Sequence, residues 1–328
     1  MQAAAAPRKL HDMPLDLAAI RAAHERIRAH IHRTPVLTSA TLDVLCGGRL
    51  FFKCENFQKI GAFKARGAAN AVFSLTEAEA KNGVATHSSG NHAAALARAA
   101  RLRGISAHIV MPTNSPKAKV ESVRRNGGNI VMCEPTLAAR ESTCARVMAE
   151  TGARLIHPYN DYAVMAGQGT ATLELLEQAP NLDLIVAPVG GGGLLVGTAV
   201  AAKGAKPGIK VIAAEPAEAD DAARSFAAGK IIPLEKTATI ADGLRTSVGE
   251  KNFPLIQQNV DAIATASEAN IVAAMRLLWE VMKIVVEPSG AVSYAAIMEG
   301  TIDVKGKRVG IILSGGNVDL DALPWMKR

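Results

Sequence analysis

Residues 51–70 read FFKCENFQKIGAFKARGAAN, and they place one lysine between two kinds of structure. The apolar and aromatic run from Arg49 to Cys54 predicts a strand, Gly61 marks a turn, and Ala65 to Val72, rich in good helix formers, predicts a helix. Lys64 therefore sits at a strand-to-helix junction beside Phe63. An ammonium held near apolar walls and a helix N-terminus is destabilised, so its pKa falls and the neutral amine becomes available for a Schiff base. A solvated surface lysine is the ordinary alternative, and three glycine- and serine-rich stretches downstream argue against it.

Outward from this unit the same alternation recurs. Leu15 to His32 carries apolar residues at helical spacing and stops before Thr34-Pro35. Downstream, predicted strands (83–86, 107–111, 129–133, 153–156) alternate with predicted helices (76–82, 93–103, 117–126, 137–151). A helix over 169–178 then precedes the continuous apolar strand 184–189, a pattern typical of burial on both faces. Helix 194–203, strand 210–214, helices 221–229, 267–283 and 290–298, and strand 308–313 complete the series. Strands and helices in this order imply an α/β fold of two open, mostly parallel twisted sheets covered by helices. The expected division is a large domain from residues 1–84 and 162–328, with a small domain, 85–161, inserted in it.

Composition narrows the class. With 328 residues, 49% of them hydrophobic, the chain can bury two cores. No apolar run approaches the roughly 20 residues that span a bilayer, and the N-terminus has no apolar signal core. Four cysteines (Cys46, Cys54, Cys133, Cys144) without paired spacing suit reduced thiols in a cytoplasm. The net charge of +7 divides unevenly: residues 1–164 hold 22 basic against 12 acidic side chains, and residues 165–328 hold 15 against 18. No basic cluster interleaved with aromatics accompanies it, so neither a nucleic-acid nor a membrane partner is expected.

Four further stretches carry chemistry. Gly190, Gly191, Gly192 and Gly193 stand between the buried strand and a helix, where backbone N–H groups and the helix N-terminus can cradle a phosphate. They lack the Lys-Ser/Thr of a nucleoside-triphosphate loop, and GGGGLLVG matches the dinucleotide fingerprint poorly. A tight turn is the plainer alternative. Ser88, Ser89, Gly90, Asn91 and His92 form a strand-to-helix turn able to receive a carboxylate, although capping alone favours Ser and Asn there. Ser314 follows the last buried strand, at the sheet edge where open α/β sheets bind ligands; it can hydrogen-bond a heterocycle nitrogen without forcing its protonation. Glu215 and Asp221 flank a loop; they suit a hard divalent cation or are solvated acids capping a helix.

Taken together, FQKIGAFKARGAAN, HSSGNHAAALA, EPTLAARE, AGQGTATLELL, APVGGGGLLVG, AAEPAEADD, IADGLRTSVG and ILSGGNVDL run in order from about residue 34 to 320. In this series the chain resembles the fold-type II pyridoxal-phosphate enzymes, specifically the serine/threonine dehydratase and serine racemase family, with its tryptophan synthase β-like fold. The resemblance implies that Lys64 holds pyridoxal 5'-phosphate with Phe63 beside the ring. It gives Asn91 to the phenolic oxygen, Gly190 to Gly193 to the phosphate and Ser314 to the pyridine nitrogen. Residues 88–92 become the substrate-carboxylate loop, and Ser89 matches the acid/base of the racemase. Glu215, the carbonyl of Ala219 and Asp221 match a Mg2+ (or Ca2+ or Mn2+) site. Arg140 matches a position tied to acidic ligands, and Thr246, with Arg245, lies where relatives contact substrate. A homodimer is the family habit, and the resemblance points to a short dehydratase, not the long, feedback-regulated biosynthetic kind.

The activity implied is β-elimination of a β-hydroxy amino acid such as L-threonine, L-serine or threo-3-hydroxyaspartate to a 2-oxo acid and ammonia. Racemisation at the same site is the alternative, and a nucleotide-binding protein without a reactive lysine is the third reading. The chain departs from the frequent Thr-Gly-Ser-Phe-Lys at Ile60-Gly61-Ala62-Phe63-Lys64, which removes two hydroxyls beside the lysine. Tyr159-Asn160-Asp161 is a further variable stretch near the cofactor.

Overall fold

The computed structural model describes residues 15–88, 90–115 and 117–326. Helix α1 (Leu17–Ile27), capped by the Asp16 carboxylate, precedes β1 (Val36–Leu37), α2 (Ala40–Cys46) and β2 (Arg49–Cys54). Next come α3 (Lys64–Phe73), α4 (Glu77–Ala80), β3 (Val84–His87), α5 (Asn91–Arg103) and β4 (Ala107–Pro112). They are followed by α6 (Lys117–Arg125), β5 (Asn129–Cys133), α7 (Leu137–Thr151) and β6 (Arg154–Leu155). The chain continues through α8 (Tyr162–Gln178), β7 (Leu184–Pro188), α9 (Gly193–Ala205), β8 (Lys210–Pro216) and α10 (Asp221–Ala228). It closes with α11 (Phe253–Asn259), β9 (Ala262–Ala266), α12 (Glu268–Met282), α13 (Pro288–Met298) and β10 (Arg308–Leu313).

The strands form two sheets. One has six strands in the order β1-β2-β10-β7-β8-β9, parallel except for the antiparallel pair β1–β2. The other has four parallel strands in the order β5-β4-β3-β6, all drawn from Val84 to Leu155. β7 is apolar and buried along its length, as is β10 after its first residue, Arg308, as the middle of a sheet covered on both faces requires. The α/β architecture expected from the alternation is the one observed.

Element boundaries differ from expectation where glycine was read as a breaker. Helix α8 starts at Tyr162, capped by Asp161, seven residues before the predicted start at 169. Gly167 lies inside it because α3 crosses there: a Cβ on Gly167 would stand 2.6 Å from Gly67 Cα. Here glycine permits close helix packing instead of ending a helix. The strand β9 and the helices α2 and α11 lie in stretches left without an element by the sequence pattern. Asn91 and His92 belong to the first turn of α5 and not to the loop before it.

Beneath Lys64, a charged cluster without solvent welds β2, α3 and α8. Arg66, fully buried, donates from Nε and Nη2 to Glu55 at 2.7 and 2.8 Å and from Nη1 and Nη2 to Glu174 at 2.8 Å each. Lys53 Nζ donates to Glu174 at 2.6 Å and to the Thr34 carbonyl at 2.8 Å. Two cations and two carboxylates balance, so the desolvation each incurs is offset by its partners. Burial alone would raise the Glu174 carboxyl, but Arg66 and Lys53 hold it below the usual carboxylate range.

Candidate active site

All the stretches singled out in the sequence fall at carboxyl ends of parallel strands. β2, β10, β7 and β8 are consecutive neighbours, so the Lys64 turn, the Ser314 turn, the glycine loop and Glu215 stand side by side along one sheet edge. The 88–92 turn, at the end of β3, faces them from the other sheet through Asn91.

Lys64 is the first residue of α3. Its Nζ donates to the Pro158 carbonyl at 2.8 Å and lies 5.0 Å from the centre of the Phe63 ring. Burial pulls its pKa from 10.5 down to about 8, which leaves a useful fraction of neutral amine near pH 7. The turn that carries it is stitched to the Ser314 turn by backbone. Ala62 bridges Gly315, Phe63 N–H donates to the Ser314 carbonyl at 3.0 Å, and Gly316 N–H donates to the Gly61 carbonyl at 2.9 Å. Asn317 Nδ2 completes the seam with bonds to the Ile60 carbonyl at 2.7 Å and to Asn91 Oδ1 at 2.9 Å. Ile60 adopts a left-handed φ of 59°, a strained state for a β-branched residue that these bonds hold in place.

Asn91 in turn donates from Nδ2 to Glu287 Oε1 at 2.9 Å. Both polar ends of its amide are thus oriented, and the direction in which it presents its remaining hydrogen is set. Glu287 is buried, and burial first, then the nearby Asp242 charge, raises its carboxyl to about 8, a protonated acid at neutral pH. Ser88 closes the turn by accepting from Gly90 N–H at 3.4 Å; Ser89 lies outside the described residues. Burial also keeps the surrounding imidazoles neutral. His92 falls to about 3, with Nε2 donating to the Ile156 carbonyl at 3.1 Å. His157 falls to about 4, with Nδ1 accepting from Asn160 N–H at 2.9 Å.

The glycine loop lies under Tyr159. A Cβ on Gly191 would sit 2.4 Å from Tyr159 Cγ, inside the ring, so only glycine fits. Burial raises the Tyr159 hydroxyl above its ordinary value, and the positive charge of Arg140, on α7, lowers both Tyr159 and His87. Arg245 turns its Nε to the Thr239 carbonyl at 2.8 Å. Glu215, at the end of β8, accepts from Ala222 N–H at 2.9 Å and Ala223 N–H at 2.8 Å. Burial raises Glu215 to about 8 and Asp221 to about 6. Asp221 Oδ2 accepts from Val248 N–H at 3.2 Å, and its Oδ1 is buried without a partner. Ala219 is buried in the turn between them. Among the described residues no cluster of three or more His, Cys, Asp or Glu could hold a metal.

Residues 27–315 match the family model described as "Pyridoxal-phosphate dependent enzyme". The chain belongs to this family. It is 55% identical over 304 residues to the β-hydroxyaspartate dehydratase of Paracoccus denitrificans (strain Pd 1222), covering 93% of this chain and 96% of the relative. It is 53% identical over 313 residues to the serine racemase of Arabidopsis thaliana, covering 94% and 95%. Among solved structures, maize serine racemase superposes with a TM-score of 0.92 at 50% identity, covering 94% of this chain and 95% of the other. A T.th. threonine deaminase superposes with a TM-score of 0.89 at 45% identity, covering 93% and 99%.

The donor set fits pyridoxal phosphate. A half-buried lysine of lowered basicity, a glycine loop before a helix N-terminus and a buried serine at the end of β10 share one sheet edge, and buried polar atoms near them (His92 Nδ1, Asn252 Oδ1, Glu287 Oε2) have no partner. Glu287, His157 and Asn252 escaped the sequence reading, and Asn317 entered it only as part of the Ser314 turn. The Glu-Pro pair 287–288 opening a helix was a usable signal for the first; the others have no local one.

Proposed function

We propose that this enzyme catalyses β-elimination of a β-hydroxy amino acid, giving a 2-oxo acid and ammonia, with 3-hydroxyaspartate as its preferred substrate. The observation that carries the elimination is Lys64, a half-buried amine whose pKa is lowered to about 8, on the sheet edge it shares with the glycine and Ser314 turns. The 55% identity to a β-hydroxyaspartate dehydratase and the positive charge that Arg140 exerts on His87 and Tyr159 support the dicarboxylic substrate.

In this reading Lys64 holds the cofactor covalently, the glycine loop N–H groups take its phosphate, Asn91 its phenolic oxygen and Ser314 its ring nitrogen. Pyridoxal phosphate, when bound, supplies the electron sink for charge left at Cα. Residues 88–92 and the N-terminus of α5 bind the substrate α-carboxylate, and Arg140 with Thr246 faces the side chain. Displaced from the cofactor by the substrate's amino group, the Lys64 amine would be free to take the Cα proton, and neutral His92 and His157 add no competing charge. Serine hydrogen-bonds the ring nitrogen without the pull toward protonation that a carboxylate would exert, which suits loss of the β-hydroxyl.

Racemisation is the second reading, supported by the 53% identity to a serine racemase. We further propose Mg2+, or Ca2+ or Mn2+, on Glu215, the Ala219 carbonyl and Asp221, for which the unpartnered Asp221 Oδ1 speaks. Residues 1–84 with 162–328, and 85–161, are proposed as large and small domains, and a homodimer as the assembly.

The test is a 2-oxo acid assay on cofactor-loaded enzyme with L-serine, L-threonine and the 3-hydroxyaspartate isomers, with and without chelator, beside Lys64→Ala. Oxo acid made from 3-hydroxyaspartate and lost in the variant is expected. Loss of optical purity without oxo acid would overturn the elimination in favour of racemisation.

A further inference from the structure

We infer that Asn252, outside every motif of this fold read from the sequence, is a positioning residue for the phosphate loop. Asn252 is fully buried at the start of α11 and directs its side-chain amide Nδ2 onto the Gly191 carbonyl. Gly249 N–H donates to the same carbonyl at 3.1 Å. The Tyr159 ring also lies against Gly191, where a Cβ would meet its carbons at 2.4–2.5 Å, so the loop is closely packed at this residue.

A trans peptide is planar, with its C=O and the following N–H pointing in opposite directions. Pinning the Gly191 carbonyl toward α11 therefore aims the Gly192 N–H the other way, to the side where the loop receives the phosphate. Gly192 has φ 94°, a conformation available to glycine at little cost, so nothing intrinsic to this residue holds the plane. A Cβ at Gly192 would lie 3.0 Å from Asn252 Nδ2, which shows how closely the amide is seated against the loop. Asn252 acts through the direction of one N–H, and the inference rests on the phosphate assignment made above.

The experiment compares affinities of apo-enzyme for pyridoxal 5'-phosphate and for pyridoxal, which lacks the phosphate, by absorbance titration in wild type and Asn252→Ala. Losing one neutral hydrogen bond from a buried group predicts roughly 3- to 30-fold weaker binding of pyridoxal phosphate. Pyridoxal, which presents nothing to Gly192, is expected to change less than about twofold. Asn252→Ser, a smaller change that keeps a donor, is expected to fall between and serves if the alanine variant does not fold. A thermal melt of each apo-protein separates lost stability from lost affinity. Equal losses for both ligands would reduce Asn252 to a structural role and overturn the inference, as would an unchanged affinity for pyridoxal phosphate. Wild type that binds pyridoxal phosphate no better than pyridoxal would instead refute the phosphate assignment itself.

Discussion

Replacing Arg66 by methionine tests how the platform under Lys64 is held. The side chain keeps its length and apolar stem but loses the guanidinium, which makes four hydrogen bonds of 2.7–2.8 Å to Glu55 and Glu174. Glu174 retains Lys53 at 2.6 Å, whereas Glu55 is left with the Thr34 hydroxyl at 2.6 Å and no cation. Removing one partner of a buried pair costs about 3–5 kcal/mol, because the remaining charge stays desolvated. Unfolding entropy near 2.1 cal/mol/K per residue gives about 0.7 kcal/mol/K for 328 residues, so the melting temperature should fall by about 4–7 °C. Differential scanning of apo-protein at pH 7.5 measures this. Adding Glu55→Gln removes the stranded charge, so the double variant should melt well above the sum of the two single losses. A shift below about 2 °C, or strict additivity, would refute the claim that these groups form one unit.

Other outcomes follow from the same geometry. Cofactor capture needs the neutral Lys64 amine, so the reconstitution rate of apo-enzyme should rise about tenfold per pH unit below 8 and level off above it; a flat profile from 6.5 to 9 would contradict the lowered pKa. Glu287, raised to about 8, binds more protons folded than unfolded between its ordinary value of 4.5 and 8, so it makes stability fall as pH rises through that window. Glu287→Gln keeps the neutral shape without the titration, and its melting temperature should gain on wild type between pH 6 and pH 9; a constant gap would sink the assignment. Added Mg2+ should raise the melting temperature by mass action and do so no longer in Asp221→Asn; an equal rise in both would place the ion elsewhere.

The sheets were legible because their strands carry short apolar runs between helical patterns, as 184–189 and 308–313 do. The Lys64, glycine and Ser314 turns were legible because each follows such a run, where the topology puts ligands. What stayed hidden depends on contacts distant in sequence. Glycines 167 and 169 read locally as a helix end, yet they are the places where α8 meets its neighbours. β9, with its alternating small residues Ala262–Ala266, is a strand only because β8 offers a partner. Asn317 joins Ile60 to Asn91, and Glu287 meets Asn91 across 196 positions, so no spacing rule could pair them.

The order of strands also sets a timetable for synthesis. β10 sits between β2 and β7 in the large sheet, yet it follows β2 by about 250 residues in the chain. At about 5–20 residues per second, a ribosome needs some tens of seconds to bridge that gap. Throughout it β2, and from about its midpoint β7, lack the neighbour that separates and joins them, and each presents unpaired backbone. The seam between the Lys64 and Ser314 turns forms only once this last strand emerges. A nascent chain can hold its lysine long before it can hold the cofactor, and shielding those two open edges falls to whatever attends the chain during translation.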